Sequence, residues 1–279
     1  MTPQNVESIF RSDRATAKVM AIANQKGGVG KTTTAVNLGT ALAACGKRVL
    51  LVDMDPQGNA STGLGLVRAH RDKSIYQIIV EQAPIGDSML ETMVPNLILV
   101  PSSIDLTGAE LELVDVAGRE FRLSEGLESV VQDFDYVLID CPPALGLLTL
   151  NALVAADAVL VPLQTEFYAL EGLSHLLRTV ELVKRSFNPK LDIQGILLTM
   201  VDSRNNLSDM VARDVRAHLG NKVYDTVIPR NVRVSEAPSH GKPVILYDTQ
   251  CAGAQAYIHL AGEILRRDHK TAHHAGPTP

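Results

Sequence analysis

The 279-residue sequence predicts an α/β fold, a doubly wound, mostly parallel sheet with helices on both faces. Three observations predict it. Short, nearly unbroken apolar runs recur along the chain and stop at Asp or Pro: 49–52 before Asp53, 97–100 before Pro101, 136–139 before Asp140, 159–161 before Pro162, 196–201 before Asp202 and 223–228 before Pro229. Runs of this kind suit strands covered on both sides, as in a parallel sheet. Between them, apolar residues repeat at helical spacing, as in Leu173, Leu176, Leu177, Val180 and Val183, and again in Leu207, Met210, Val211, Val215 and Leu219. The third observation is local: an apolar run at 19–23 leads into a glycine-rich stretch and then a helix-like segment at 34–45.

Taken in order, residues 1–17 read as a polar, flexible extension whose basic positions are Arg11 and Arg14, with Lys18 at its edge. Residues 18–268 read as a single domain, closed by a helix at about 252–267, and 269–279 as a disordered tail. The first 18 residues lack the apolar core of a signal peptide, and no apolar run approaches membrane-spanning length. Cys45, Cys141 and Cys251 lie far apart without a C-x-x-C pair, which suits a reducing compartment and argues against a disulfide frame or zinc site. A cytoplasmic protein without a membrane partner is expected. With a net charge of −5, binding to nucleic acid would need a local basic surface.

The glycine-rich stretch is Asn24-Gln25-Lys26-Gly27-Gly28-Val29-Gly30-Lys31-Thr32-Thr33. Strand, glycine loop and helix in that order make a phosphate-binding loop: the glycines let backbone N–H groups turn inward, and the helix presents the positive end of its dipole. Gly27, Gly28, Val29, Gly30, Lys31, Thr32 and Thr33 form the cradle, Lys31 reaching the terminal phosphates and the Thr32 hydroxyl sitting on Mg²⁺. A nucleotide with Mg²⁺ is therefore the expected ligand, the resemblance described below implying ATP, and the fold is expected to be of the P-loop NTPase type. The pattern departs from G-x-x-x-x-G-K-[ST] in having Gln25 at the first glycine position with Lys26 behind it. Lys26 is placed to project out of its own site toward a neighbouring subunit's phosphates.

Two further pieces follow. Asp53-Met54-Asp55-Pro56 stands at the end of the next apolar run; hydrolysis needs a group that orients water in line with the leaving phosphate, a role given to Asp55, with Asp53 supporting the metal and the loop's hydrogen bonds. Asp140 ends the run 136–139, where an aspartate at a strand tip can hold Mg²⁺ through water. Cys141 reads as a packed side chain, having no histidine partner nearby in sequence.

The form K-G-G-x-G-K-[ST]-T resembles the deviant phosphate loop of the family that includes ParA, MinD and the nitrogenase iron protein. The segments 24–34, 49–65, 140–151, 161–172 and 228–243 together look like the chromosomal ParA or Soj partition ATPases, a likeness running from about residue 18 to 267. Ala144 departs from the serine that often follows the Pro-Pro pair. The resemblance implies an ATP-dependent DNA-partition ATPase with slow turnover. Its ATP-bound sandwich homodimer binds double-stranded DNA without sequence preference, and a ParB/Spo0J-type partner stimulates hydrolysis and release, so that the protein is nucleoid-associated. It also implies that Lys26 acts across the dimer, that Gly27 lies where the two loops pack, that Asp55 is needed for hydrolysis, and that Pro229, Arg230 and Asn231 lie near the adenine.

Residues 203–242 hold seven bases against four acids, +3, which leaves −8 for the rest of the chain. That asymmetry is what a DNA-facing surface on an acidic protein requires. Arg204, Arg230, Arg233 and Lys242 are the candidate DNA contacts; Arg204 and Arg233 match contact positions in the resemblance. Tyr224 is the only Phe, Tyr or Trp between Arg204 and Lys242, so phosphate contact rather than base stacking is expected. A MinD-like membrane switch would use a C-terminal amphipathic helix, but the stripe Tyr257, Leu260, Ala261, Ile264 and Leu265 reads as core packing. An iron–sulfur scaffold would need paired cysteines, and a nucleotide binder without turnover would lack Asp55 and Asp140.

Overall fold

The computed structural model describes residues 17–166, 169–202 and 204–274, without the side chains of 271–274. The extension at 1–16 and the tail beyond 274 lie outside the described residues. Seven strands form one sheet: β1 (Lys18–Ile22), β2 (Val49–Asp53), β3 (Leu90–Glu91), β4 (Leu97–Val100), β5 (Tyr136–Asp140), β6 (Ala158–Gln164) and β7 (Asp192–Thr199), in spatial order β3-β4-β2-β5-β1-β6-β7. All neighbours are parallel except β3, which runs antiparallel to β4 at the edge. The helices that matter for the site are α1 (Lys31–Ala44), α2 (Asn59–Gly63), α3 (Leu147–Ala155), α4 (Ala169–Ser186), α5 (Asn206–Leu219), α6 (Val232–Glu236) and α7 (Ala252–His274).

Alternation along each strand divides the core in two. On one face Val19, Ala21, Leu50, Val52, Val137, Ile139, Val159 and Val161 pack under α3, α4 and α5, through Ala152, Leu173, Leu176, Val211 and Val215. On the other face Met20, Ile22, Leu51, Leu99, Leu138, Leu160 and Leu197 pack under α1 and α7, through Leu38, Leu42, Tyr257, Leu260 and Ile264. The strands are buried on both sides, which is why their sequences read as unbroken apolar runs. The stripe on α7 is core, as its spacing predicts. On α5, Val211 and Val215 are buried while Met210 is exposed.

Four expectations need correction. The phosphate-loop helix begins at Lys31, within the loop motif, rather than near 34. β3 was not anticipated, because two residues are too few to show a period. Residues 223–228 do not form a strand: Val223 and Pro229 make isolated bridges to Ile196 and Val201, and the amides of Tyr224 and Ile228 donate to Ile196 O and Leu198 O of β7. Between them the amides of Asp225 and Thr226 turn to the Glu263 carboxylate on α7, each at 2.9 Å, so they are lost to the ladder. Finally, 269–274 are helical rather than tail. Asp268 pins this end of α7 to the sheet by accepting from Lys18 Nζ at 2.5 Å, Tyr136 Oη at 2.8 Å and Gln194 Nε2 at 3.2 Å. The sequence then offers no Gly or Pro before Gly276 to stop the helix.

The wall beside the phosphate loop is built by a close backbone approach, in which Gly65 and Gly241 face each other with φ of 83° and 62°. A Cβ on Gly241 would sit 3.0 Å from the Gly65 Cα. Gly241→Ala is therefore expected to lower unfolding free energy by about 1–3 kcal/mol, through left-handed strain and crowding together. Urea unfolding reads this directly, and a loss below about 0.5 kcal/mol would contradict it.

Candidate functional site

The register of the three central strands gathers the chemistry. β1 ends at Ile22, opposite Asp140 of β5, and Asp140 is in turn opposite Asp53 of β2. The stretch 24–30 thus leaves the sheet with two aspartates beside it, at the carboxyl ends of the strands where a topological switch opens a crevice. Asn24 fastens the loop's first turn by donating to Pro162 O at 2.7 Å while its Oδ1 accepts from Lys26 N at 3.0 Å. Thr199, at the end of β7, fastens the other side by donating to Val29 O at 2.8 Å. Gly28 and Gly30 have φ of 74° and 90°, values that side-chain-bearing residues rarely adopt, and they let the chain turn into α1. The first turn of α1 has no side-chain cap and no acidic residue, so its amides are left for an anion.

Lys31 is buried and donates to Lys26 O at 2.9 Å. Burial holds its pKa below the ordinary lysine value, only partly offset by Asp140, Cys141 and Asp55, so the cation is poorly solvated in the free loop. Both carboxylate oxygens of Asp140 are buried without a hydrogen-bond partner. Burial pushes this carboxyl well above the usual range, and Asp53 and Asp55 push it further against the opposing influence of Thr32 and Lys31. A buried carboxylate without a hydrogen-bond partner, beside a threonine and a lysine, fits a cation site.

Asp53 is differently placed. It is fully buried and accepts from Ser61 N at 2.9 Å, Ser61 Oγ at 2.7 Å and Asp55 N at 3.3 Å, bonds that tie β2 to α2. Burial nevertheless raises its pKa to about 6. Asp55 is buried as well and accepts from Gln57 N at 3.0 Å, turning the chain back toward α2. Behind this turn lies Arg71, which donates to Gly58 O, Thr62 Oγ1 and Leu66 O at 3.1, 2.8 and 2.6 Å.

Two adjoining cavities flank the loop. One, of about 280 Å³, is lined by Thr32, Thr33, Asn37, Asn59 and Lys242; the other, of about 220 Å³, by Gly30, Thr33, Pro229, Arg230, Asn231 and Tyr257. The second places Pro229, Arg230 and Asn231 together beside the phosphate loop, with Asn231 also capping α6 by accepting from Arg233 N at 2.9 Å. A more voluminous cavity, about 470 Å³ between α3 and α4, is lined by five leucines, Val183 and Phe187 together with Glu110, Arg119 and Glu120, and none of the phosphate-loop residues reaches it.

The four basic candidates are exposed, and two of them are paired with acids. Arg204 lies two residues before α5, is 86% exposed, and grips Asp202 through Nε and Nη2, both at 3.0 Å. Arg233, on α6, pairs with Glu236 at 3.0 Å and Asp248 at 3.5 Å. Arg230 and Lys242 are exposed without an ion pair among the described residues. Sequence reasoning missed Asn24, Thr199, Ser61 and Arg71, which act through contacts as distant in sequence as Thr199 to Val29. Asn24, next to the loop, was the one visible as a candidate.

Fold and site define a nucleotide-binding protein of the P-loop NTPase class. A family model described as an AAA domain matches residues 17–193. The chain is 61% identical over 253 residues to the chromosome partitioning protein ParA of Caulobacter vibrioides, covering 90% of this chain and 95% of that protein. It is 58% identical to the sporulation initiation inhibitor protein Soj of Bacillus subtilis, covering 88% and 98%. Among solved structures, cobyrinic acid a,c-diamide synthase from Mycobacterium smegmatis, with bound ADP and magnesium, matches with a TM-score of 0.80 at 40% identity, covering 91% and 96%. The chain belongs to the ParA/Soj family of chromosome-partitioning ATPases.

Proposed function

We propose that this chain is an ATP-dependent DNA-partition ATPase that works in the cytoplasm on the nucleoid. With ATP it forms a sandwich homodimer that binds double-stranded DNA without sequence preference, and a ParB-type partner stimulates slow hydrolysis and release. The observation that carries the reading is the pair Lys26 and Lys31 on one loop, beside the unpartnered Asp140. Asp140 and Thr32 fit a magnesium ion, and Lys31 with the loop amides of 27–33 fits the phosphates. Bound there, Mg²⁺ would neutralise charge on the phosphate oxygens. Lys31 would leave the Lys26 carbonyl to bind them, Asp53 would hold the Asp55 turn, and Asp55 would orient water. Pro229, Arg230 and Asn231 would receive the adenine, and Lys26 would reach the partner's phosphates past Gly27.

Arg204, Arg230, Arg233 and Lys242 supply the DNA contacts. One subunit with about three or four phosphate contacts binds weakly, whereas a dimer doubles them, so ATP switches affinity by avidity. The Asp202 pair occupies only Nε and Nη2 of Arg204, and the remainder of the guanidinium fork can meet a phosphate. Retention on nonspecific duplex DNA with ADP, ATP and a slowly hydrolysed analogue across a salt series tests the reading. Retention is expected only with ATP or its analogue, falling about 10³- to 10⁴-fold between 50 and 200 mM salt. Arg204→Ala or Arg233→Ala should each reduce the salt slope of the dimer by about 2, one contact per subunit. Retention that ignores nucleotide, or arginine variants that bind like the unmutated chain, would overturn it.

A further inference from the structure

The Lys26 ammonium forms an ion pair with Glu166 of its own chain, just beyond the end of β6. The side chains are 50% and 31% exposed, while the Glu166 Oε1 that meets the lysine is itself buried. The same lysine is held at two backbone points, its N–H by Asn24 Oδ1 at 3.0 Å and its carbonyl by Lys31 Nζ at 2.9 Å. The free loop therefore holds Lys26 at three anchors, two on its backbone and one on its ammonium. Only one of them, Lys31, has a reason to leave when a triphosphate enters, since its buried ammonium gains phosphate oxygens in place of a single carbonyl.

We infer that Glu166 is a positioning residue that retains Lys26 within its own subunit and so sets the ATP level at which two subunits join. The inference rests on the reading that Lys26 acts across the dimer. For Lys26 to engage a partner's phosphates its ammonium must exchange the Glu166 carboxylate for them. Glu166 thus competes with the partner's nucleotide for one cation. ATP alone releases the carbonyl anchor, and the carboxylate anchor yields only when another subunit presents phosphate. The competition is graded, because a partly exposed pair is weak: about 1.4- to 5-fold in an equilibrium constant. Two such pairs open per dimer, so the handicap on dimerisation is about 2- to 25-fold.

The test is sedimentation of the full chain over a titration of a slowly hydrolysed ATP analogue, comparing the unmutated protein with Glu166→Gln, Glu166→Ala, Lys26→Ala and Lys26→Ala/Glu166→Gln. Glu166→Gln and Glu166→Ala should raise the dimerisation constant within that range, with ADP affinity of the monomer unchanged. In the Lys26→Ala background Glu166→Gln should do nothing, a dependence that a merely structural role for Glu166 would not show. A Glu166→Gln constant equal to or below that of the unmutated chain, while the latter dimerises, overturns the Glu166 inference alone. So does an equal gain from Glu166→Gln without Lys26. If the unmutated chain fails to dimerise, or Lys26→Ala dimerises normally, the cross-dimer reading of Lys26 falls and the inference with it.

Discussion

Lys31→Ala protein will bind ATP about 10²- to 10⁴-fold more weakly than the unmutated chain, the sum of two charge-assisted hydrogen bonds at about 1.5–3 kcal/mol each. The structure gives the reason in two parts. In the free loop the Lys31 ammonium is buried, its pKa is held down by that burial, and it has the Lys26 carbonyl as acceptor. In the proposed site, phosphate oxygens would complete a cation whose water has already been removed by folding, a preorganised site rather than one assembled on binding. The loss should also remove the cation nearest Asp140, whose carboxyl, already pushed up by burial, would rise further and hold Mg²⁺ less well. Calorimetric titration with Mg-ATP measures the effect, and far-UV circular dichroism shows that α1 still forms. An affinity within threefold of the unmutated protein would remove Lys31 from the phosphate site.

Asp55→Ala should have the opposite phenotype, with ATP and DNA still bound but turnover lost. Removing a group that orients water costs about 10²- to 10⁴-fold in rate. Asp55 is buried at the turn between β2 and α2, next to the fully bonded Asp53, and its own bond to Gln57 N is a local one. Alanine there should leave the Asp53–Ser61 tie, and with it the sheet end, in place. After a limited amount of ATP is supplied, the unmutated protein should leave DNA as ATP is spent, while the variant stays. Equal release by both would show that the dimer opens without Asp55-dependent hydrolysis. Taken with Lys31→Ala, the two variants separate nucleotide capture from nucleotide use.

Much of the site was legible because its members are close in sequence or mark strand ends. Gly28, Gly30, Lys31 and Thr32 lie within one turn of loop and helix, and Asp53 and Asp140 announce themselves as acids closing apolar runs. That Asp53 and Asp140 stand side by side followed from neither run, since it depends on β5 lying between β1 and β2. Their divergence was also hidden. Ser61 satisfies Asp53, whereas Asp140 is left unpartnered, and a carboxylate's hydrogen bonds are fixed by what folds over it. The basic surface was visible as a charge count, but its neutralising partners were not: Asp248 reaches Arg233 across 15 positions of sequence.

The sequence by itself determined the layered α/β class, the phosphate loop and the strand-end acids. Burial on both faces, backbone reversal at glycine and a helix start each leave their mark within a few adjacent residues. Only the tertiary structure decided that 223–228 is no strand, that α7 runs past 268, and that Lys26 meets Glu166. Each of these turns on a hydrogen bond or ion pair between groups distant in the chain. A carboxylate on α7 takes two amides from a ladder, another ties the helix end to β1, and a third holds the loop lysine, and local pattern carries no record of such pairings.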